Sequence, residues 1–323
     1  MAEKPVVVVT RKLPPAVEAR LERDYTPKLN PEDRLYPADE LIELCSDAAA
    51  ILPCHTEQIN EALIGRLPDN VKIIANFSVG VDHCDLAAAK ARGITVTNTP
   101  DVLSEATAEI ALLLILGASR RASEGERLLR SAEWKDWSPD FMVGVQSTGK
   151  TLGVIGMGRV GQVLARKARD GLGMKIHYHN RSRLPADLEA GAVYHDSVES
   201  LLPECDVLSL HCPATAESIG LLNEQRIALM KDGAIVVNTA RGALIDDEAL
   251  IAALKSGKLW GAGLDVYNNE PAGLHDGYRS LTNVFLLPHI GSATKETRDA
   301  MGFRALDNLD AFFASEEPGD RVA

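Results

Sequence analysis

The chain has 323 residues, 46% of them hydrophobic and 25% charged, a balance that suits a folded globular protein and excludes disordered and fibrous classes. At about 150 residues per domain that length predicts two domains. A formal charge of -12 opposes phosphate backbones and anionic lipid, which demand clustered Lys and Arg, yet it permits a small anionic ligand, because a few local Arg residues set the field of a cleft.

The chain opens Met1-Ala2-Glu3-Lys4-Pro5 and runs straight into valines, without the basic start, apolar core and cleavage site of an export signal. The longest apolar run, Ile110 to Leu116, falls far short of the roughly 20 residues of a membrane helix. A cytoplasmic location is expected. The five cysteines, Cys45, Cys54, Cys84, Cys205 and Cys212, are irregularly spaced with no Cys-x-x-Cys pair, which fits a reducing compartment. Cys54, Cys84 and Cys212 each adjoin a histidine, but neighbouring side chains on a strand point oppositely and chelate poorly, so no metal site is expected.

In chain order, Val6–Val9, Ala48–Leu52, Val71–Ala75 and Ile94–Val96 read as strands, with helices over Pro15–Arg23, Glu57–Gly65 and Asp85–Arg92 between them. That rhythm predicts parallel βαβ units. A single helical pattern from Ser104 to Leu129, apolar in its first half and amphipathic after, is placed to bridge two domains. A second set follows: strands Thr151–Ile155, Met174–Tyr178, Val207–Leu210, Ala234–Asn238, Gly261–Leu264 and Val284–Leu287, with helices such as Gln162–Arg169 and Asp247–Lys255. The predicted class is α/β, with two doubly wound parallel sheets. The last helix, Lys295–Phe313, comes after the second set and can return to the first domain; Glu316–Ala323 reads as a frayed end.

Directly after the strand Thr151–Ile155 stands Gly156-Met157-Gly158-Arg159-Val160-Gly161, with a helical pattern starting inside it. Placed between strand and helix, this spacing signals a bound dinucleotide. Gly156 makes the tight turn, Gly158 lets a pyrophosphate approach the backbone, Gly161 lets helix pack on strand, and the helix N-terminus offers N–H donors. Arg159 either adds a pyrophosphate contact or faces solvent. At the end of the next strand an NAD enzyme would carry Asp or Glu for the ribose 2′-hydroxyl; here stand Asn180, Arg181, Ser182 and Arg183. With the acid missing and donors in its place, a 2′-phosphate is favoured and NADP is predicted over NAD. The alternative is a solvated basic turn that tolerates either cofactor.

Three further features sit just past strand ends, where doubly wound sheets hold ligands: Asn238-Thr239-Ala240-Arg241-Gly242, Asp265 to Pro271, and Pro288-His289-Ile290-Gly291. Reduction of a keto acid needs a fixed guanidinium for the carboxylate, a proton donor for the carbonyl, and a carboxylate to keep that donor charged. Arg241, His289 and Glu270 fit those roles. Singly, each has a structural alternative: Arg241 a surface ion pair, Glu270 a turn acid before proline, His289 a packed histidine. Their joint placement points to chemistry.

These stretches, together with Asn76 to Asp82 and Gly263-Leu264-Asp265-Val266-Tyr267, resemble the D-isomer-specific 2-hydroxyacid dehydrogenase family over nearly the whole chain. The resemblance implies a Rossmann cofactor domain (101–289) inserted into a flavodoxin-like substrate domain (1–100 and 290–323), in a homodimer. It implies His289 as general acid/base, Glu270 as its partner, and Arg241 as the group that anchors the carboxylate and polarises the keto oxygen. Backbone N–H groups of Val79 and Gly80 would receive the substrate carboxylate, and Asp265 would face the nicotinamide amide. Thr107, Val160, Cys212, Pro213, Thr239, Ala240 and Gly291 match positions along the cofactor. Within the family the Asn180-Arg181-Ser182 loop is similar to that of NADPH-dependent glyoxylate/hydroxypyruvate reductases, which yield D-2-hydroxy acids. Long phosphoglycerate dehydrogenases and formate dehydrogenases fit less well, the latter because they lack the acid that Glu270 supplies. Trp134 and Trp137 fall where such dimers can lend an aromatic to a neighbouring pocket. Two alternatives remain: a dinucleotide-sensing corepressor module, and an NAD-dependent dehydrogenase of other substrate range.

Overall fold

The computed structural model describes residues 3–323. Two compact units result, one comprising the chain up to Leu103 together with Ser292–Ala323, the other Ser104–Gly291.

The first unit carries β1 (Val6–Val9), β2 (Thr26–Lys28), β3 (Ala50–Leu52), β4 (Ile73–Ala75) and β5 (Thr95–Thr97), ordered β2-β1-β3-β4-β5 and joined by parallel ladders. That is the flavodoxin-like order. β1, β3 and β4 read as unbroken apolar runs because both faces are covered. Alternate residues go to opposite sides: Val7, Val9, Leu52 and Ile73 pack with Val17 and Leu21 of the helix Pro15–Asp24 and Met301 and Leu306 of Lys295–Phe313. Val8, Ile51, Ile74 and Val96 meet Leu63, Ile64 and Ala89 on the other face.

The end of the chain is docked where fraying was expected. The Val322 N–H donates to Val96 O (2.8 Å), the Val96 N–H donates to Ala323 O (3.0 Å), and Thr97 and Arg321 form an antiparallel bridge. Asp320 accepts from Arg304 Nε and Nη2, both at 2.8 Å, and from Asn308 Nδ2 at 3.1 Å. An uncovered edge at β5 supplies unpaired backbone groups, and the tail satisfies them. Its Glu-Glu-Pro-Gly composition gave no sign of that edge.

The second unit carries β6 (Thr151–Ile155), β7 (Lys175–His179), β8 (Val193–His195), β9 (Val207–Leu210), β10 (Ala234–Asn238), β11 (Leu259–Leu264) and β12 (Val284–Leu286). Their order is β12-β11-β10-β9-β6-β7-β8, again with parallel ladders. This is the Rossmann arrangement, whose order reverses between β6 and β9 and so opens a crevice at the carboxyl ends of those strands. On one face lie Ala111, Leu114 and Ile115 of the helix Ser104–Ser119 and Leu164 and Ala168 of Arg159–Leu172; on the other lie Leu250, Ile251 and Leu254 of Asp247–Ser256.

Several sequence boundaries move. The pattern from Ser104 to Leu129 is two helices, Ser104–Ser119 and Ala122–Arg130, parted at Arg121 with φ +55°. The Val145 N–H takes the Ser119 carbonyl (2.8 Å), which a continuing helix would have given to the residue four places on. The expected helix from Glu57 begins at Glu61, capped by Asn60 accepting from the Leu63 N–H (3.0 Å), because Glu57 instead accepts from the Cys54 N–H at 2.8 Å. Strands β2 and β8 were not foreseen; both are short edge strands, with too few residues for a periodic signal. Among the described residues no helix is long and apolar enough to cross a membrane.

Candidate active site

Most candidate groups of the second unit follow strands at the carboxyl edge of its sheet, whereas Thr107 stands on the helix Ser104–Ser119. Gly156 comes directly after β6 with φ +92°, and a Cβ there would stand 2.5 Å from the Cys212 backbone nitrogen. A Cβ on Gly161 would lie 2.6 Å from the Gly156 carbonyl oxygen. Both glycines are thus required by the chain itself. At Gly158, the N-cap of the following helix, a Cβ would meet nothing within 4 Å, so the backbone of the turn is open to a close approach there. Behind it starts the 14-residue helix Arg159–Leu172, with Val160 half-buried and Arg159 exposed; its first-turn N–H groups and dipole suit a pyrophosphate.

Asn180 directly follows β7 and points back at this turn. Its Oδ1 accepts from the Met157 N–H at 2.6 Å. A backbone donor fixes the side-chain orientation, so the acceptor oxygen is engaged and the amide N–H groups are left for whatever occupies the ribose position. Arg181 and Ser182 are exposed beside it. Arg183, offered with them as a phosphate donor, is instead paired with Glu189 through Nε (2.7 Å) and Nη2 (3.0 Å). Tyr178 Oη donates to the same carboxylate at 2.6 Å and receives the Leu184 N–H at 3.0 Å. Glu189 is held below the usual carboxylate range, by Arg183 first and Tyr178 second. The four groups clamp the loop that carries Asn180 to Ser182, and Arg183 serves the clamp.

Arg241 follows β10 on a turn shaped by Asn238, whose Oδ1 accepts from the Ala240 N–H (2.9 Å) and whose Nδ2 donates to Arg241 O (2.8 Å). Thr239 Oγ1 lies 3.4 Å from Nδ1 of His211, whose Nε2 meets Ser209 Oγ at 2.8 Å. Burial pushes His211 down to about 4, so this imidazole is neutral near pH 7. A Cβ on Gly242 would fall 2.0 Å from the Tyr267 carbonyl carbon. That closeness seats the Arg241 turn directly on the loop that carries Glu270.

Glu270 and His289 form the centre of the site. His289 Nδ1 is 2.5 Å from Glu270 Oε2, and Oε1 of the same carboxylate accepts from the Tyr267 N–H at 2.5 Å. An ionised carboxylate only accepts, which assigns the Nδ1 proton to His289. His289 has φ +55°, a left-handed conformation that costs a non-glycine residue roughly 1–3 kcal/mol and persists only where neighbours impose it. Asp265 imposes it: its two oxygens accept from the Ile290 N–H (2.8 Å) and the Gly291 N–H (2.7 Å). Burial raises the Asp265 pKa, opposed first by the amide of Ile290. Sequence reasoning assigned Asp265 to the cofactor and missed this bracing, which no spacing announces. Gly291 O also accepts from Thr107 Oγ1 at 3.2 Å. Cys212 is half-buried after β9 with its thiol pushed up to about 11 by burial, hence protonated, and Pro213 beside it is exposed.

Val79 and Gly80 belong to the first unit, in the loop after β4. Trp134 and Trp137 are exposed on an irregular stretch after the helix Ala122–Arg130.

A two-unit parallel α/β chain with a glycine turn at the Rossmann crevice and a carboxylate-braced histidine beside an arginine defines a dinucleotide-dependent dehydrogenase. Residues 112–291 match the model of the D-isomer specific 2-hydroxyacid dehydrogenase NAD binding domain. The chain is 42% identical over 316 residues to the glycerate dehydrogenase of Hyphomicrobium methylovorum, covering 97% of this chain and 98% of that one. It is 43% identical over 324 residues to the glyoxylate reductase of Thermococcus litoralis, covering 99% and 97%. Its fold is similar to that of the NADPH-dependent glyoxylate/hydroxypyruvate reductase of Sinorhizobium meliloti, solved with NADP and malonate, at a TM-score of 0.86 and 33% identity over 99% of this chain and 97% of that one. The chain belongs to the D-isomer specific 2-hydroxyacid dehydrogenase family.

Proposed function

We propose that the protein is an NADPH-dependent reductase of small 2-keto acids, glyoxylate and hydroxypyruvate foremost, forming D-2-hydroxy acids. The observation that carries this reading is the Glu270–His289 pair set on the Arg241 turn. A nicotinamide dinucleotide bound at the glycine turn supplies the hydride that C2 of the keto acid accepts. His289 Nε2 delivers a proton to the keto oxygen, Glu270 stabilises the imidazolium beforehand, and Arg241 binds the carboxylate and polarises the C=O. In the first unit, read as the substrate-binding domain, the N–H groups of Val79 and Gly80 take up the carboxylate.

The choice of NADP rests on Asn180. An acid at this place would accept from a ribose hydroxyl, whereas Asn180, its oxygen held by Met157, offers donors, and Arg181 and Ser182 add more. Glyoxylate and hydroxypyruvate come from the relatives, whose names include glyoxylate reductase and NADPH-dependent glyoxylate/hydroxypyruvate reductase. Thr107, Val160, Cys212, Pro213, Thr239, Ala240 and Gly291 are assigned to the walls of the cofactor site. A cytoplasmic homodimer completes the reading; exposed Leu129, Trp134, Trp137, Phe141 and Val143 give the second unit an apolar surface that a second copy can cover.

The test is a steady-state panel of 2-keto acids with NADPH and NADH, followed by loss of reduced-cofactor absorbance. Turnover of glyoxylate or hydroxypyruvate with a kcat/KM preference for NADPH is the expected result; no turnover of any small 2-keto acid would sink the reading. The double change Asn180→Asp with Arg181→Gln restores a ribose acceptor and removes a phosphate partner, so the NADPH/NADH ratio is expected to fall by roughly 10- to 100-fold, the effect of one or two charge-assisted hydrogen bonds. An unchanged ratio would remove this loop from cofactor selection.

A further inference from the structure

The loop after β4 has its carbonyls tied down by side chains and backbone of its own unit. Ser78 O accepts from the Thr99 N–H at 2.9 Å. Val79 O accepts from Asn98 Nδ2 at 2.8 Å, and Gly80 O from Ser78 Oγ at 2.6 Å. Across a trans peptide the N–H points opposite to the preceding carbonyl. Fixing the carbonyls of Ser78 and Val79 on residues 98 and 99 therefore turns the N–H groups of Val79 and Gly80 away from that segment, side by side. Among the described residues neither N–H donates to a backbone carbonyl outside the regular elements. Two adjacent outward amides form the kind of concavity that receives an anion.

The support is itself anchored. The Asn98 N–H donates to Asp320 O (3.2 Å), and Asn98 O accepts from Asn308 Nδ2 (3.2 Å). The docked tail and the helix Lys295–Phe313 thus hold the segment from which Asn98 reaches the loop. Ser78 is buried, and its hydroxyl bends the chain back onto the Gly80 carbonyl.

We propose that Ser78 and Asn98 are positioning residues for substrate: Asn98 holds the Val79 carbonyl and with it the peptide plane of the Gly80 N–H, Ser78 closes the turn through the Gly80 carbonyl, and together they aim the loop's amides at the carboxylate of the 2-keto acid. The inference rests on the reading of the protein as a 2-keto acid reductase. It concerns ground-state placement of the carboxylate and leaves proton transfer and cofactor binding untouched.

Ser78→Ala and Asn98→Ala, with Ser78→Thr as the hydroxyl-retaining control for the first, separate the possibilities. Each alanine variant is expected to raise KM for glyoxylate and the competitive Ki of oxalate about tenfold, the equivalent of about 1.4 kcal/mol. The kcat stays within about twofold, as uniform binding loss requires. NADPH affinity, read by its fluorescence, is unchanged, and Ser78→Thr restores KM. Unaltered KM and Ki in folded variants overturn the proposal, as does a loss of kcat or NADPH affinity in place of the KM effect. Should Asn98→Ala fail to fold, Ser78→Ala reads the same loop alone. Failure of the underlying reductase reading looks different, because the wild-type protein itself would then neither reduce 2-keto acids nor be inhibited by oxalate.

Discussion

His289→Ala is expected to lower kcat by about 10²- to 10⁴-fold, the usual contribution of a positioned general acid, while NADPH affinity stays within about twofold. The separation follows from geometry. His289 meets Glu270 through Nδ1, at the end of the site proposed for proton transfer; the glycine turn, Asn180 and the helix Arg159–Leu172 hold the other end of the proposed cofactor site. Backbone strain sharpens the expectation: alanine also tolerates φ +55° poorly, but Asp265 binds the amides of Ile290 and Gly291 whatever side chain precedes them. Single-turnover absorbance and NADPH fluorescence quenching measure the two quantities. A parallel loss of cofactor affinity would refute the division of labour.

The second large effect is expected at Arg241. Arg241→Gln removes the guanidinium that is proposed to bind the carboxylate and polarise the keto oxygen, so kcat/KM should fall by roughly 10²- to 10³-fold, the magnitude attached to losing one partner of a desolvated charge pair. Both KM and kcat move, because the carboxylate is bound before reaction and the carbonyl dipole grows during it. Arg241→Lys restores charge without the bidentate fork and should recover only part of the loss. Kinetics with glyoxylate decide the matter; a variant of wild-type kcat/KM would place Arg241 outside the reaction. The turn itself should survive both changes, since Asn238 shapes it through backbone groups.

The length and the alternation of apolar β-branched runs with amphipathic ones suffice for two parallel α/β sheets, because strands buried on both faces and their crossover helices leave different periods in the sequence. Val6–Val9, Thr151–Ile155, Val207–Leu210 and Ala234–Asn238 stand where their residues predict. The glycine turn and the triad of Arg241, Glu270 and His289 were legible for a related reason: each sits just past a strand end, where the topology of such sheets gathers ligand groups. Edge strands β2 and β8, the break at Arg121 and the docking of the tail were not, since each depends on which backbone groups another segment leaves unpaired, as Val145 does to Ser119 and β5 to Val322.

What only the tertiary structure decided is the state of individual polar groups. Arg183 reads as a phosphate donor until Glu189 and Tyr178 are seen around it, and the bracing of Ile290 and Gly291 by Asp265 shows only once its oxygens are traced. Asn180 reads only as a missing acid until the Met157 N–H fixes which of its atoms face outward. Residue type and spacing set what chemistry a side chain can do; hydrogen-bond partners from distant segments set which of its atoms remain to do it.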